Sequence, residues 1–187
     1  MSFTHDLIKL NELSVKTEEG KRLYQTPQGK SYPSVTTVTG ILSKDDIQAW
    51  RQRIGEEKAD QITRAATSRG NEVHKLAELY LKNELFSQST LFDEPKTNNY
   101  KMFEVLSSVL DNKVGIVRAI EAPLYSDVLR VGGRVDLVAE WDNELAVIDF
   151  KTSSKPKKER WIDNYFMQSS AYAFMFEELT KIPINKI

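Results

Sequence analysis

The segment VGGRVDLVAEWDNELAVIDFK, residues 131–151, constrains the fold more than any other part of the chain. Apolar and polar residues alternate along both of its halves, and β-branched residues are frequent, which is typical of β-strands. Asp142 and Asn143 interrupt the alternation, and their side chains favour tight turns. The segment is therefore predicted to form a β-hairpin with these two residues as its loop.

A two-residue loop also predicts which residues oppose each other, and it places Asp136 opposite Asp149. Side chains directly opposed on antiparallel strands have Cβ atoms roughly 4.5–5.5 Å apart. Lys151, two residues after Asp149, shares that face. Two adjacent carboxylates repel each other unless a cation neutralises them or one takes a proton. A divalent metal ion is the simplest resolution, so the hairpin predicts a metal site.

Length and composition indicate a globular protein. With 187 residues the chain can bury a substantial core, and we expect one domain over residues 21–187 after a poorly specified arm, residues 1–20. Hydrophobic residues make up 40% and charged residues 28%, as in soluble proteins. No apolar run approaches the ~18 residues of a membrane-spanning helix. The N-terminal residues lack the pattern of a secretory signal, which predicts a cytoplasmic protein and no membrane partner.

The absence of cysteine limits the chemistry. It excludes disulfides, thiol catalysis, cysteine-ligated zinc and iron–sulfur clusters. Any metal must be held by oxygen or imidazole, which favours Mg²⁺ or Mn²⁺. The net charge of −1 provides no general attraction to nucleic acid, so a DNA-binding surface would need a local concentration of positive charge.

The rest of the chain predicts a small sheet flanked by helices. A short hairpin is expected around Pro27-Gln28-Gly29, and a long helical region from Asp45 with a pause near Ser68-Arg69-Gly70. Apolar periodicity predicts further helices over residues 100–110 and 162–179. A strand over residues 115–125 precedes the main hairpin. With no internal repeat, this order indicates an α/β or α+β sandwich.

Asp136, Asp149 and Lys151 together suit phosphodiester hydrolysis. A single carboxylate on a strand is most often a solvated surface residue, but these two lie among apolar neighbours and face each other in the predicted register. Carboxylates hold a metal, the metal activates water and neutralises phosphate, and an ammonium stabilises the transition state. Short motifs of this kind are degenerate, so further residues are needed to support the hypothesis.

Four other polar residues are candidates for the same site. Glu121 lies in the preceding strand, where it is either a third carboxylate or an exposed strand residue. His74 shares a helical face with apolar residues, so a packed histidine is the alternative to a ligand. Gln168 and Tyr172 are four residues apart and share one face of the last helix.

A basic segment directly after Lys151 is a candidate DNA-binding surface. Such runs are usually solvated, but this one lies beside the predicted metal site and near aromatic residues that can stack on bases, which favours a groove for single-stranded DNA. With one further arginine, the candidates are Lys155, Lys157, Lys158, Arg160, Trp161, Tyr165 and Arg69.

Five motifs, in the right order, resemble those of the RecB-like branch of the PD-(D/E)XK nuclease superfamily. They are His74 in RGxxxH, Glu121, GGRVD ending in Asp136, VIDFKT with Asp149 and Lys151, and Gln168-x-x-x-Tyr172. The earlier stretch RLYQTPQGKSYPSVTTVTGIL looks like the N-terminal hairpin region of the mitochondrial genome maintenance exonuclease group. The similarity covers residues 22–180.

The resemblance implies an α/β fold with a restriction-endonuclease-like core, a small mixed sheet and a central β-hairpin flanked by helices. It implies that Asp136 and Asp149 bind the metal, that the Phe150 carbonyl and His74 complete its shell, and that Glu121 supports it or a second ion. The implied activity is an Mg²⁺- or Mn²⁺-dependent exonuclease that acts on ends of single-stranded DNA.

The resemblance also implies roles for the remaining motif residues. Lys151 would act on the attacking water, and Gln168 and Tyr172 would orient catalytic groups or the DNA backbone. Many relatives carry an iron–sulfur cluster, which the absence of cysteine excludes. Residues 1–19 lack organellar presequence features, so a bacterial or phage protein is expected. Relatives continue beyond the last helix, so we expect a shortened version or an incomplete chain.

Two alternatives to the exonuclease remain open. One is a non-catalytic module of the same fold that binds single strands or DNA ends, although such a binder has no need of Asp136, Asp149 and Lys151 together. The other is a structure-specific or restriction-type endonuclease with the same chemistry. The sequence does not indicate any protein partner.

Overall fold

The fold is taken from a computed structural model, which describes residues 2–85, 97–154 and 162–187. The strands in these ranges are β1 Ser14–Glu18, β2 Lys21–Gln25, β3 Ser31–Pro33, β4 Val114–Ser126, β5 Val131–Trp141 and β6 Glu144–Ile148. The α-helices in the same ranges are α1 Val35–Thr39, α2 Lys44–Ile54, α3 Glu56–Leu81, α4 Asn98–Lys113 and α5 Asp163–Thr180. The strands form two antiparallel sheets, β1-β2-β3 and β4-β5-β6.

The predicted hairpin is formed by β5 and β6. Asp142 and Asn143 connect the two strands with φ angles of 53° and 67°, and positive values at both positions are what a type I′ hairpin turn requires. Pairing runs from Trp141 opposite Glu144 to Leu137 opposite Ile148, which is the register that the two-residue loop predicts.

One detail of the predicted register is wrong. The β5–β6 ladder ends at Leu137 and Ile148, so Asp136 and Asp149 do not form the next cross-strand pair. Beyond this point the Phe150 backbone N–H does not donate to a backbone carbonyl of β5. It donates instead to Oδ2 of the Asp136 side chain over 2.6 Å, and the ladder ends. A side chain of β5 thus holds the segment that follows β6.

Helices cover both faces of the second sheet. One face carries α3 and α4, and its core consists mainly of Leu76, Ala77, Tyr80, Leu81, Phe103, Leu110, Val117, Leu137 and Ala139. The other face carries α5 and α1, and its core consists mainly of Val35, Leu124, Val135, Val138, Val147, Tyr172, Met175 and Phe176. Single parallel bridges pair His5 with Val117 and Lys186 with Ala146 at the sheet edges. The predicted α/β class, with a hairpin in a small mixed sheet between helices, is confirmed.

The long helix α3 differs from its prediction. It continues through Ser68, Arg69 and Gly70 without the expected pause, and the break lies instead at Gly55, whose φ is 87°. A glycine inside a helix costs only about 1 kcal/mol relative to alanine, and burial of the apolar side chains between Val73 and Leu81 outweighs this cost.

Residues 4–8, part of the arm for which the sequence predicts little structure, lie along β4. The backbone N–H groups of Asp6 and Ile8 donate to carbonyls of Val117 and Arg118, and Phe3 is buried in the core next to α3. None of the helices in the described ranges has the length and apolar content needed to span a lipid bilayer.

Candidate functional site

Three polar side chains from three elements meet beside the middle of β5, and we call them the ligand cluster: His74 from α3, Glu121 from β4 and Asp136 from β5. One potential ligand atom of each lies within 4.8 Å of the others. Nδ1 of His74 is 3.4 Å from Oδ1 of Asp136 and 4.0 Å from Oε1 of Glu121. Asp136 is buried, whereas the other two are half-buried. An imidazole and two carboxylates are ligand types that suit a divalent cation.

A backbone irregularity in β4 brings Glu121 into this cluster. Its φ is 46°, a left-handed value, and its carbonyl accepts a hydrogen bond from the Arg134 side chain. Ala119 and Ala122 are three residues apart yet contact the same core cluster, which regular strand alternation does not allow. The interruption between them directs the Glu121 carboxylate towards His74.

A second group, the Asp149–Lys151 pair, lies next to the ligand cluster. The Asp149 side chain is only 5% exposed, and its Oδ2 forms an ion pair with the Lys151 ammonium. The ammonium also lies 5.2 Å from the centre of the Tyr165 ring. The pair therefore combines a buried carboxylate with a cation whose side chain is 33% exposed.

Phe150 connects the two groups through its backbone. Its N–H donates to Asp136, and its carbonyl oxygen lies 2.9 Å from Nε2 of His74. Since Phe150 stands between Asp149 and Lys151 in the chain, these contacts hold the Asp149–Lys151 pair against the ligand cluster.

Helix α5 supports the pair from the other side. The Gln168 amide donates to Oδ1 of Asp149 over 3.0 Å and approaches the Tyr172 hydroxyl at 3.2 Å. The Tyr172 ring packs on β5 at Gly133, where any side chain would overlap it. The row of polar residues on α5 thus fixes the orientation of the Asp149 carboxylate.

The electrostatics of the site favour protons or a cation. Burial raises the pKa of Glu121 to about 7, and the nearby Asp136 carboxylate adds to the rise. Burial also raises the pKa of Asp149, again with a contribution from Asp136, while Lys151 opposes it. The hydrogen bond with Asp136 is the main cause of a raised pKa at His74. Crowded carboxylates in a partly buried site are a condition that a divalent cation relieves, so these residues fit a metal.

Comparison with known proteins identifies the family. A family model for the PD-(D/E)XK nuclease superfamily matches residues 48–185. This chain belongs to that superfamily. The restriction-endonuclease-like α/β fold expected from the motifs is thereby confirmed. The matched range contains every residue of the ligand cluster and of the Asp149–Lys151 pair, and also Gln168 and Tyr172 of α5.

Three vertebrate proteins of one kind are similar to this nuclease-superfamily chain. The human mitochondrial genome maintenance exonuclease 1 is 33% identical over an alignment of 135 residues, and the match covers 67% of this chain. The mouse protein of the same name is 29% identical over an alignment of 138 residues that covers 70% of this chain. The Xenopus tropicalis protein is 33% identical over an alignment of 136 residues that covers 66% of this chain. This chain spans only 38 or 39% of the length of these relatives. The expected bacterial or phage origin stays a prediction.

The structure brings the predicted catalytic and metal-binding residues into one region, but in two groups. Asp149 does not join the ligand cluster among the described residues, although its pKa is raised by burial and, to a smaller extent, by the charge of Asp136. The Phe150 carbonyl, predicted to be a ligand, instead faces the His74 ring. Their roles in metal binding and catalysis stay predictions.

The predicted DNA-binding surface is described only in part. Tyr165 lies under the Lys151 ammonium, and Nε of Arg69 is 3.4 Å from Oγ1 of Thr152, directly beyond Lys151. Both therefore border the Asp149–Lys151 pair. The remaining candidates lie outside the described residues: Lys155, Lys157, Lys158, Arg160 and Trp161.

Sequence reasoning missed two supporting residues. Gly133 leaves room for the Tyr172 ring, and Thr152 connects the segment after Lys151 to α3 through Arg69. The sequence did contain a signal for Gly133, because a glycine inside a strand often marks the close approach of another group. No comparable pattern indicates the contact of Thr152.

Proposed function

We propose that this chain is an Mg²⁺- or Mn²⁺-dependent deoxyribonuclease that hydrolyses phosphodiester bonds from the ends of single-stranded DNA, in replication, repair or recombination. The observation that carries the proposal is the contact through Phe150 between the ligand cluster and the Asp149–Lys151 pair. Such a site combines oxygen and imidazole ligands with an ammonium at the same place.

The ligand cluster and Asp149 would hold the metal. A divalent ion bound there supplies charge neutralisation at the phosphate and lowers the pKa of a water molecule. The protein prepares the ligands in advance, since the Phe150 N–H fixes Asp136 and the Gln168 amide fixes Asp149. Ligands held by such outer contacts lose little freedom when the ion binds.

Lys151 would orient the attacking water and stabilise charge on the phosphate. Its ammonium lies against Asp149 and remains partly exposed, so a phosphate oxygen can reach it from solvent. A fixed ammonium aimed at the place where negative charge develops stabilises the transition state.

Arg69 and Tyr165 would hold the strand beside this centre, together with the basic segment after Ser154. Arginine contacts phosphate, and an aromatic ring stacks on bases without regard to sequence. The similar vertebrate proteins are named exonucleases, which supports the requirement for a free end.

The test compares linear and closed circular single-stranded DNA. With Mn²⁺ or Mg²⁺, the purified protein should shorten a linear strand labelled at either end in turn and leave the circle intact. Chelator should abolish digestion, and so should Asp149→Asn, which preserves the shape of the side chain. Asp45→Asn, which changes an exposed carboxylate on α2, is the matched control and should remain active.

Two results would support the alternatives. Binding of single strands without shortening, under any divalent metal, would indicate a non-catalytic module of the same fold. Cleavage of the circle would indicate an endonuclease, because a circle has no end to enter.

A further inference from the structure

Two cavities open on opposite sides of the chain between Ile148 and Lys151. The first, about 360 Å³, lies on the α5 side of this segment. The second, about 440 Å³, lies on the side of α3 and α4. Both are bordered by the same four residues, Trp141, Ile148, Asp149 and Lys151. The Asp149–Lys151 pair therefore forms the boundary between two separate recesses.

The walls of the two cavities differ in character. The first is mainly aromatic and aliphatic, with Ile162, Tyr165, Phe166 and Ile187 among its lining residues. The second is mainly apolar, with Val73, Met102, Leu106 and Phe150 among its lining residues, and it includes the polar Thr152 and Ser153. Cavities of about 300–1,000 Å³ with mainly apolar walls and a few polar groups are the usual form of small-molecule sites.

We propose that the two cavities hold the two bases that flank the phosphodiester bond being cut, one base in each. The inference rests on the proposed function, which places the reacting phosphate at Lys151. In a nucleic acid strand one base lies on either side of every internucleotide phosphate. A phosphate at the boundary therefore directs one base towards α5 and the other towards α3 and α4.

This arrangement defines the substrate more closely than a charged groove would. Two bases on opposite sides of a protein segment cannot stack on each other, and neither can pair with a complementary strand. The substrate is thus a single strand that is unstacked at the point of cleavage. The apolar walls bind base faces rather than base edges, so cleavage should depend little on sequence.

The test uses linear single strands that carry one abasic residue at an internal position. During digestion with Mn²⁺, this residue lies first on one side of the reacting bond and then on the other. Cleavage should slow by roughly tenfold at each of the two bonds that flank it, the loss expected when one base contact disappears. The product ladder should therefore show two consecutive pauses, and bonds farther away should be cut at the normal rate.

A variant assigns each pause to one cavity. Phe166 lines the first cavity and is 52% exposed, so Phe166→Ala should leave the fold intact. It should slow cleavage of ordinary strands and remove one of the two pauses while the other remains. Phe174→Ala is the matched control, since Phe174 is a 40% exposed phenylalanine on the same helix and does not line either cavity. It should retain both pauses.

The outcomes separate this inference from the proposed function. Normal digestion without pauses, or two unchanged pauses in Phe166→Ala, would overturn the base-binding role of the cavities and leave the nuclease intact. A protein that does not digest the unmodified strand would overturn the proposed function and, with it, the inference.

Discussion

Gly133 is in direct contact with the ring of Tyr172: a Cβ atom added at position 133 would lie 2.5 Å from Cε1 of that ring. The Tyr172 hydroxyl is close to the Gln168 amide, which donates to Asp149. The position of the Tyr172 ring therefore influences, through Gln168, the orientation of the buried Asp149 carboxylate. A strand residue without a side chain is required for that arrangement.

Gly133→Ala should lower both stability and nuclease activity. Because the added methyl group cannot be accommodated, Tyr172 has to move, and overpacking of this kind costs about 1–3 kcal/mol in the free energy of unfolding. Urea unfolding and the rate of strand digestion measure the two effects. The double variant Gly133→Ala/Tyr172→Leu should recover part of the stability without recovering the rate. Equal recovery of both would mean that the ring does not position Asp149.

Glu121→Gln should stabilise the metal-free protein at pH 8 and weaken metal binding. Burial raises the folded-state pKa of Glu121 to about 7, above that of an unfolded glutamate. The folded state therefore binds the proton more tightly, and the stabilisation this provides is lost as the pH rises through 7. Glutamine avoids the loss, which we expect to be roughly 1–2 kcal/mol once partial solvent screening is allowed for.

The pH dependence of unfolding in chelator provides the control for Glu121→Gln. The difference in stability between the variant and the original protein should vanish near pH 4 and grow towards pH 8. A difference that is independent of pH would show that the Glu121 carboxylate does not titrate between those values.

Metal binding should release protons at pH 6.5. The pKa values of His74, Glu121 and Asp149 are all raised, so each group holds more of its proton than it would in water, and a cation displaces protons from its ligands. Apparent affinity for Mn²⁺ should therefore increase with pH. Calorimetric titration in buffers of different ionisation enthalpy counts the protons. Heats that do not depend on the buffer would contradict the assignment of these residues as ligands.

Lys151→Met should retain metal binding and most strand binding while losing most turnover. The change removes the ammonium but keeps much of the apolar stem, so a loss of about 10²–10³ in single-turnover rate is expected, as for removal of one group that stabilises a transition state. Lys101→Met, at an exposed lysine of α4, is the control. Unchanged turnover would mean that Lys151 only neutralises Asp149.

The hairpin shows what could be predicted from the sequence and what could not. The Asp142-Asn143 turn fixes the register of β5 and β6 by local chemistry, and the pairs follow it as far as Leu137 and Ile148. Where the ladder stops depends on a competing acceptor, the Asp136 carboxylate. Such competition between a side chain and a backbone carbonyl is decided by tertiary structure.

Two other features could not be predicted from the sequence because they also depend on tertiary contacts. The left-handed conformation of Glu121 is unusual for this residue type, and the contact of its carbonyl with Arg134 becomes visible only in the folded sheet. The continuation of α3 through Gly70 depends on packing against the sheet rather than on local propensity. Motif order predicted which residues belong to the site, but their division into two groups depends on these tertiary contacts.

Gly132, the neighbour of Gly133, is in close contact with Tyr24 of the first sheet. A Cβ atom there would lie 2.6 Å from Cβ of Tyr24 in β2, and Tyr24 packs with Tyr32 and Tyr125 in a separate core cluster. Gly132 and Gly133, which are consecutive in β5, thus contact two different elements. Gly132 contacts the first sheet, and Gly133 contacts α5, the helix that supports Asp149. A fragment trimmed to remove β1–β3 would lose Tyr24 and expose β5 at Gly132, the residue next to the one that contacts Tyr172.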